Sequence, residues 1–247
     1  MTTAGTGVAV DSLTHVHVVV PANNEEALLP RTLRTLHDAV DELRRARPTI
    51  TTHVTLVLDC CTDGSRDVAR RHPEVRAVEV DYRCVGAARA HGVAAATAGV
   101  PDSERGRHWL ANTDADCAVP TDWLVRQAIL ADAGVDLVTG TVEPDGDDLD
   151  QAVLARWQAL HQLRDGHPHV HGANLGLRLS TYVRSGGFRA VPLHEDVGLV
   201  EQARVSGDTC LASSALHVRT SGRTRGRAPG GFAHFLSELE TGASLAG

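Results

Sequence analysis

Two carboxylates one residue apart, Asp114-Ala115-Asp116, close the apolar run Trp109-Leu110-Ala111-Asn112. On an extended backbone alternation would put both on one side, where they could share a divalent cation and the phosphates it carries. Asp59 likewise ends an apolar run, His53 to Leu58. A nucleobase edge and a ribose diol offer donors that a carboxylate accepts well, which suits Asp59 and Glu25, whereas Asp63 reads equally well as a turn or capping residue. Arg219, Arg223, Arg225 and Arg227 stand among Gly222, Gly226, Gly230 and Gly231. That composition suits a loop closing over a diphosphate, with Arg223 foremost, rather than only a solvated basic face. Glu195-Asp196 stands at the start of a helix, where acidic side chains also favour capping.

These residues need elements to hold them. His15-Val16-His17-Val18-Val19-Val20 is a β-branched strand halted by Pro21 and followed by the polar loop Ala22 to Glu26. Leu29, Leu33, Leu36, Val40 and Leu43 then mark an amphipathic helix that ends before Pro48. The unit repeats: a strand at His53–Leu58, the loop Asp59–Gly64, a helix through Arg71; a strand at Val75–Val80, a loop to Gly86, an alanine-rich helix from Ala87 to Ala98; then Trp109–Asn112. Alternation of this kind predicts a mostly parallel sheet flanked by helices, with ligands outside the carboxyl ends of its strands. Asn24, Glu25, Asp59, Asp63, Arg89, Asp114 and Asp116 should therefore gather on one rim. Later elements are less regular: a helix from Pro120 to about Ala133, a strand at Asp136–Val142, a helix from Leu149 to about Arg164, a short helix before Gly186-Gly187-Phe188, a helix from His194 to Ser206, a strand at Thr209–Val218 and a last helix, Phe232–Glu240.

The 247 residues suit one α/β domain over residues 14–247 behind a frayed leader, 1–13, with no linker that would separate a second domain. A formal charge of -7 argues against a general nucleic-acid binder. There is no lysine, so every fixed cation is an arginine, suited to bidentate phosphate contacts. No apolar run reaches the roughly 20 residues of a membrane helix, and Met1 to Asp11 lacks the pattern of a signal peptide. The expectation is a cytoplasmic enzyme. Five scattered cysteines without a C-x-x-C pair point to reduced thiols.

Taken in order, the segments resemble a GT-A fold glycosyltransferase of family 2 from about Val16 to Phe235. The matching stretches are Val19–Glu26, Asp59–Ser65, Gly86–Arg89, Asp114–Asp116, Gly186–Phe188 with Glu195-Asp196, and Thr220–Arg223. The resemblance implies that Pro21, Asn24, Glu25 and Asp59 line a nucleoside pocket in residues 14–118, with Arg89 near its phosphate side. Asn23 stands where family members often carry an aromatic residue. Asp116 is then the more direct ligand of a magnesium or manganese ion, and Asp114 contacts ribose or metal-bound water. His217 is a candidate third ligand or a structural strand-end histidine. Inverting transfer also needs a base for the acceptor hydroxyl, which the resemblance assigns to Asp196 with Glu195 positioning it. Residues 119–247 form the acceptor half, with Asn174 bordering the acceptor. The alternating His167, His169 and His171 read as acceptor lining or surface, and Trp157 and Leu160 as core or acceptor wall.

The implied reaction moves a sugar from a UDP- or GDP-linked donor to a small or lipid-linked acceptor. A nucleotidyltransferase, or a catalytically silent nucleotide-sugar-binding protein, remains the alternative.

Overall fold

The structure, a computed structural model, describes residues 12–161, 163–191, 193–226 and 231–241. Most of the expected leader, together with Arg227 and Gly230, lies outside them. Eight strands form one sheet: β1 (His15–Ala22), β2 (Thr51–Asp59), β3 (Arg76–Val80), β4 (His108–Asn112), β5 (Cys117–Ala118), β6 (Leu137–Pro144), β7 (Leu175–Arg178) and β8 (Cys210–Thr220), in the order β3-β2-β1-β4-β7-β6-β8-β5. The helices are α1 (Leu29–Ala46), α2 (Ser65–Arg70), α3 (Val85–Ala96), α4 (Trp123–Asp132), α5 (Gln151–Leu160), α6 (Leu179–Arg184), α7 (Glu195–Val205) and α8 (Phe232–Thr241).

Helix α1 forms where the leucine period predicts it. A proline sits in its first turn, where no N–H partner is needed, and Leu29, Leu33, Leu36, Val40 and Leu43 are all buried. Helix α3 has little amphipathic pattern because it lies close on the sheet. A Cβ at Gly92 would come within 2.6 Å of Val19 and 2.7 Å of Val57, so only hydrogen fits there.

Strands β3, β2, β1 and β4 pair in parallel, as the strand–helix alternation predicts, and so do β6 and β8. Strand β7 departs from that expectation by running antiparallel between β4 and β6. Its four residues are all buried, so they show no alternation to read. The reversal matters for the site: the strands on both sides of β7 end on one rim, and β7 begins there. Segment 171–174 thus joins the ends of β1, β2, β4, β6 and β8. Helix α5 also stops at Leu160, short of the expected Arg164, and His161 is already extended.

At the opposite ends of β1, β2 and β4, four imidazoles lie nearly parallel on one face of the sheet. Ring centroids of His15 and His108 are 4.3 Å apart, those of His17 and His108 5.2 Å, and those of His17 and His53 5.9 Å. His17 Nε2 and His108 Nδ1 share a 2.9 Å hydrogen bond. Their other ring nitrogens are buried without a partner. Burial, and next the His108 imidazole, push the His17 pKa from 6.5 down to about 3. Between those values the unfolded chain binds more protons than the folded one, so stability is full above pH 6.5 and falls as the pH drops toward 3. Thermal melts from about pH 7 to 4 should show Tm decreasing, and His17→Leu should flatten that slope by removing the titrating group. An unchanged slope would assign the acid sensitivity elsewhere.

Candidate active site

The rim surrounds a cleft of about 910 Å³ lined by residues of every strand end just described. On the wall formed by the ends of β1 and β2 the polar side chains chiefly shape the backbone. The Asp59 carboxylate accepts from the backbone N–H groups of Tyr82 (2.7 Å), Arg83 (3.0 Å) and Cys84 (3.1 Å), which ties down the loop entering α3. Three of its roughly four lone-pair positions are thereby used. Asn24, at φ 55°, accepts from the N–H groups of Thr62 and Asp63 at 2.7 and 3.2 Å. Asn23 donates to the Asp59 carbonyl at 2.6 Å, and the Asp63 carboxylate accepts from the N–H groups of Ser65 and Glu26. Pro21, Asn24, Glu25 and Asp59 all line the cleft.

The acidic pair does not sit on an extended backbone, as the alternation argument expects, but on a tight turn in which Cys117 N–H donates to the Asp114 carbonyl at 3.1 Å. The turn converges the carboxylates of Asp114 and Asp116 and the Cys117 thiol to within 4.8 Å of one another. Burial pushes the thiol far up, so it stays protonated and donates toward Asp116 Oδ1 at 3.5 Å. The usable donors are therefore oxygens, which suit a hard cation such as magnesium or manganese. Burial, and then the neighbouring Asp114, raise the Asp116 pKa to about 6. A positive group already lies against it: Arg223 Nη2 is 2.8 Å from Asp116 Oδ2, while the same guanidinium grips both Glu25 oxygens at 2.8 and 2.9 Å. Thr220 donates to Asp116 Oδ1 at 3.4 Å.

Arg89 joins this turn to the start of α7. Only 2% exposed, it donates from Nη2 to Asp114 Oδ1 at 2.6 Å and from Nε to Glu195 Oε1 at 3.2 Å. Burial is the main reason the Glu195 pKa is raised, and Arg89 opposes that rise. Beside it, Asp196 accepts from Gly172 N–H at 2.6 Å and Val197 N–H at 2.8 Å. His194, at φ 62°, makes the sharp entry that turns both carboxylates toward the cleft.

Two expected site residues are placed elsewhere. Asn174 is buried beneath the cleft, where it accepts from Trp123 Nε1 and donates to the carbonyls of Thr141 and Leu216. Its amide holds α4 to the strands and does not line the cleft. His217 bonds Glu143 at 3.0 Å and Thr141 at 3.1 Å. It is three residues from Thr220 on β8, so strand alternation turns it to the face away from Asp116. Arg219 and Arg225 are exposed. Sequence reading missed the rings of His161, Phe232 and Phe235, which reach the cleft; the i,i+3 spacing of the two phenylalanines on the last helix was the available signal.

A largely parallel sheet whose strand ends carry an acidic turn is an arrangement of the GT-A type. Solved structures of that kind superpose on it. The Pyrobaculum calidifontis mannosyltransferase PcManGT, in complex with GDP-Man and Mn2+, has 22% identity and a TM-score of 0.60 over 89% of this chain and 61% of its own. Staphylococcus aureus TarS matches at 13% and 0.60 over 85% and 61%. Mycobacterium tuberculosis glucosyl-3-phosphoglycerate synthase matches at 16% and 0.53 over 84% and 71%. The chain spans about three fifths of the first two. No curated protein matches the sequence. The family described as Glycosyl transferase family 2 matches residues 17–190, more than two thirds of the chain. The chain belongs to that family. Among the described residues, no helix is long and apolar enough to cross a membrane.

A tight point of the site is Gly172, where a Cβ would lie 2.6 Å from Arg89 Nη2 and 2.8 Å from its Cζ. With the guanidinium held by two acids, Gly172→Ala should cost about 1–3 kcal/mol in chemical denaturation and lower transfer activity. A variant of unchanged stability and activity would show that Arg89 can move without consequence.

Proposed function

We propose that the chain transfers a sugar, with inversion, from a UDP- or GDP-linked donor to a hydroxyl of a small or lipid-linked acceptor, with a divalent cation as cofactor, in the cytoplasm. The observation that carries this reading is the Arg89 bridge. One guanidinium spans Asp114 and Glu195, so the turn that would hold the leaving diphosphate and the helix start that would activate the nucleophile form one unit. Manganese and GDP-mannose in the PcManGT structure, and UDP in a TarS complex, support the donor class.

In this reading residues 14–118 bind the nucleotide and residues 119–247 the acceptor. Pro21, Asn24, Glu25 and Asp59 form the nucleoside wall, Asp59 mainly by holding the loop at 82–84. Asp114 and Asp116 hold the cation, which when bound supplies charge neutralisation at the departing diphosphate. Arg223 exchanges its carboxylate partners for phosphate oxygens, a bidentate contact its geometry suits. Asp196 takes the acceptor proton, while Glu195, fixed by Arg89, keeps it in position.

Calorimetry with UDP and GDP, with and without manganese, tests the donor site: one of them should bind, more tightly with the metal. Asp116→Ala should lose the metal-dependent part and nearly all turnover. Asp196→Asn should keep nucleotide affinity while kcat falls about 10²–10⁴-fold, and the product anomer, read by NMR, should be opposite to the donor's. Full activity in Asp196→Asn, or a retained anomer, refutes the assignment of the base.

A further inference from the structure

The cleft beyond Gly172 has a chemistry unlike the donor side. His161 lies flat on the Trp157 indole, with centroids 4.5 Å apart and planes 6° apart, and Phe235 meets it edge-on at 5.4 Å. His169 is 4.9 Å from His161 and stacks at 6.1 Å on His171, which meets Phe232 edge-on. Helices α5 and α8 support these rings through a cluster containing Trp157 and Leu236. His161, His171, Phe232 and Phe235 line the cleft together with Val142 and Val170. His171 directly precedes Gly172, whose N–H holds Asp196, so the ring wall flanks the proposed base.

Charge separates the acceptor candidates. Among the described cleft-lining residues, six carboxylates face three arginines. Arg89 and Arg223 are held by acids, and the Arg83 guanidinium lies beside Cys60 and Asp81 past the end of β2, not in the ring wall. His171 adds no positive charge to the wall: burial, and next the His169 imidazole, lower its pKa to about 4. Among the described residues this wall holds no arginine, so an anionic acceptor would lose its water beside the Asp196 carboxylate without a guanidinium of the wall to receive it.

We propose that this wall binds an uncharged hydroxyl compound with a flat apolar face, an aryl ring or the face of a neutral sugar, in preference to a phosphorylated or carboxylate-bearing acceptor. The proposal rests on the glycosyl-transfer reading. The acceptor oxygen bonds the anomeric carbon, its proton passes to the Asp196 carboxylate, and the carbon's bond to the diphosphate oxygen breaks as the nucleoside diphosphate leaves.

Binding of four probes, titrated by NMR without nucleotide, tests the wall separately from the donor site: 4-methylumbelliferone, methyl α-D-mannopyranoside, mannose 6-phosphate and 3-phosphoglycerate. At least one neutral probe should bind about tenfold tighter than either anion, and which one it is separates aryl ring from sugar face. Phe235→Ala should weaken that probe about fivefold or more, while Phe235→Tyr retains it and both variants melt as the parent does. Anions binding as tightly as the neutral probes, or no loss in Phe235→Ala, would overturn the proposal. Absence of UDP and GDP binding would instead overturn the donor reading and leave the probe result standing.

Discussion

A buried guanidinium needs more than one counter-charge, and the geometry of this site follows from how Arg89 meets that need. Taken out of water, it is stable only where carboxylates compensate it, and each carboxylate buried near it is stable for the same reason. Asp114 and Glu195 belong to distant parts of the sequence, yet they sit on two nitrogens of one planar group. The spacing between the acidic turn and the start of α7 is thereby set by a rigid fork rather than by flexible loops. The absent side chain of Gly172 and the close approach at Gly86, where a Cβ would come within 2.1 Å of the Arg189 carbonyl, leave the room this pairing requires.

Strand β7 supplies the other half of that arrangement. Had it run parallel to its neighbours, its start would have lain at the far end of the sheet, among the stacked histidines. Running antiparallel, it carries His171 and Gly172 to the functional rim, and the Gly172 N–H then orients Asp196. Asn174, directly before the strand, anchors this reversal by spending its amide on Trp123 and two backbone carbonyls, which is why it is buried and away from ligand.

The two ends of the sheet use histidine in different settings. At the base, His17 and His108 are sealed against one another and bear on acid stability. At the rim, His161 and His171 are aromatic wall, kept neutral in the case of His171 by burial. In an acidic protein without lysine, the His171 imidazole supplies polarisable flat surface without adding charge beside the carboxylates that would handle cation and proton.

Much of this was legible in the residues alone, because local period and punctuation carry it. The alternation of β-branched runs with a leucine helix gave the parallel strands β1 to β4, and the rule that ligands gather at carboxyl ends brought Asp59, Arg89, Asp114 and Asp116 to one rim. Other features depend on contacts that no local pattern encodes. A four-residue strand buried on both faces has no period, so the reversal of β7 was invisible. A turn rather than an extended backbone converges Asp114 and Asp116, and His217 turns away because alternation along β8 counts from Thr220. Arg223 meets Glu25 across 198 positions only because the ends of β1 and β8 share a rim. Residue types and order thus determined the family and most of the side chains that gather at the rim. Tertiary packing decided which of those side chains meet, because a buried charge is tolerable only where the fold supplies its partner.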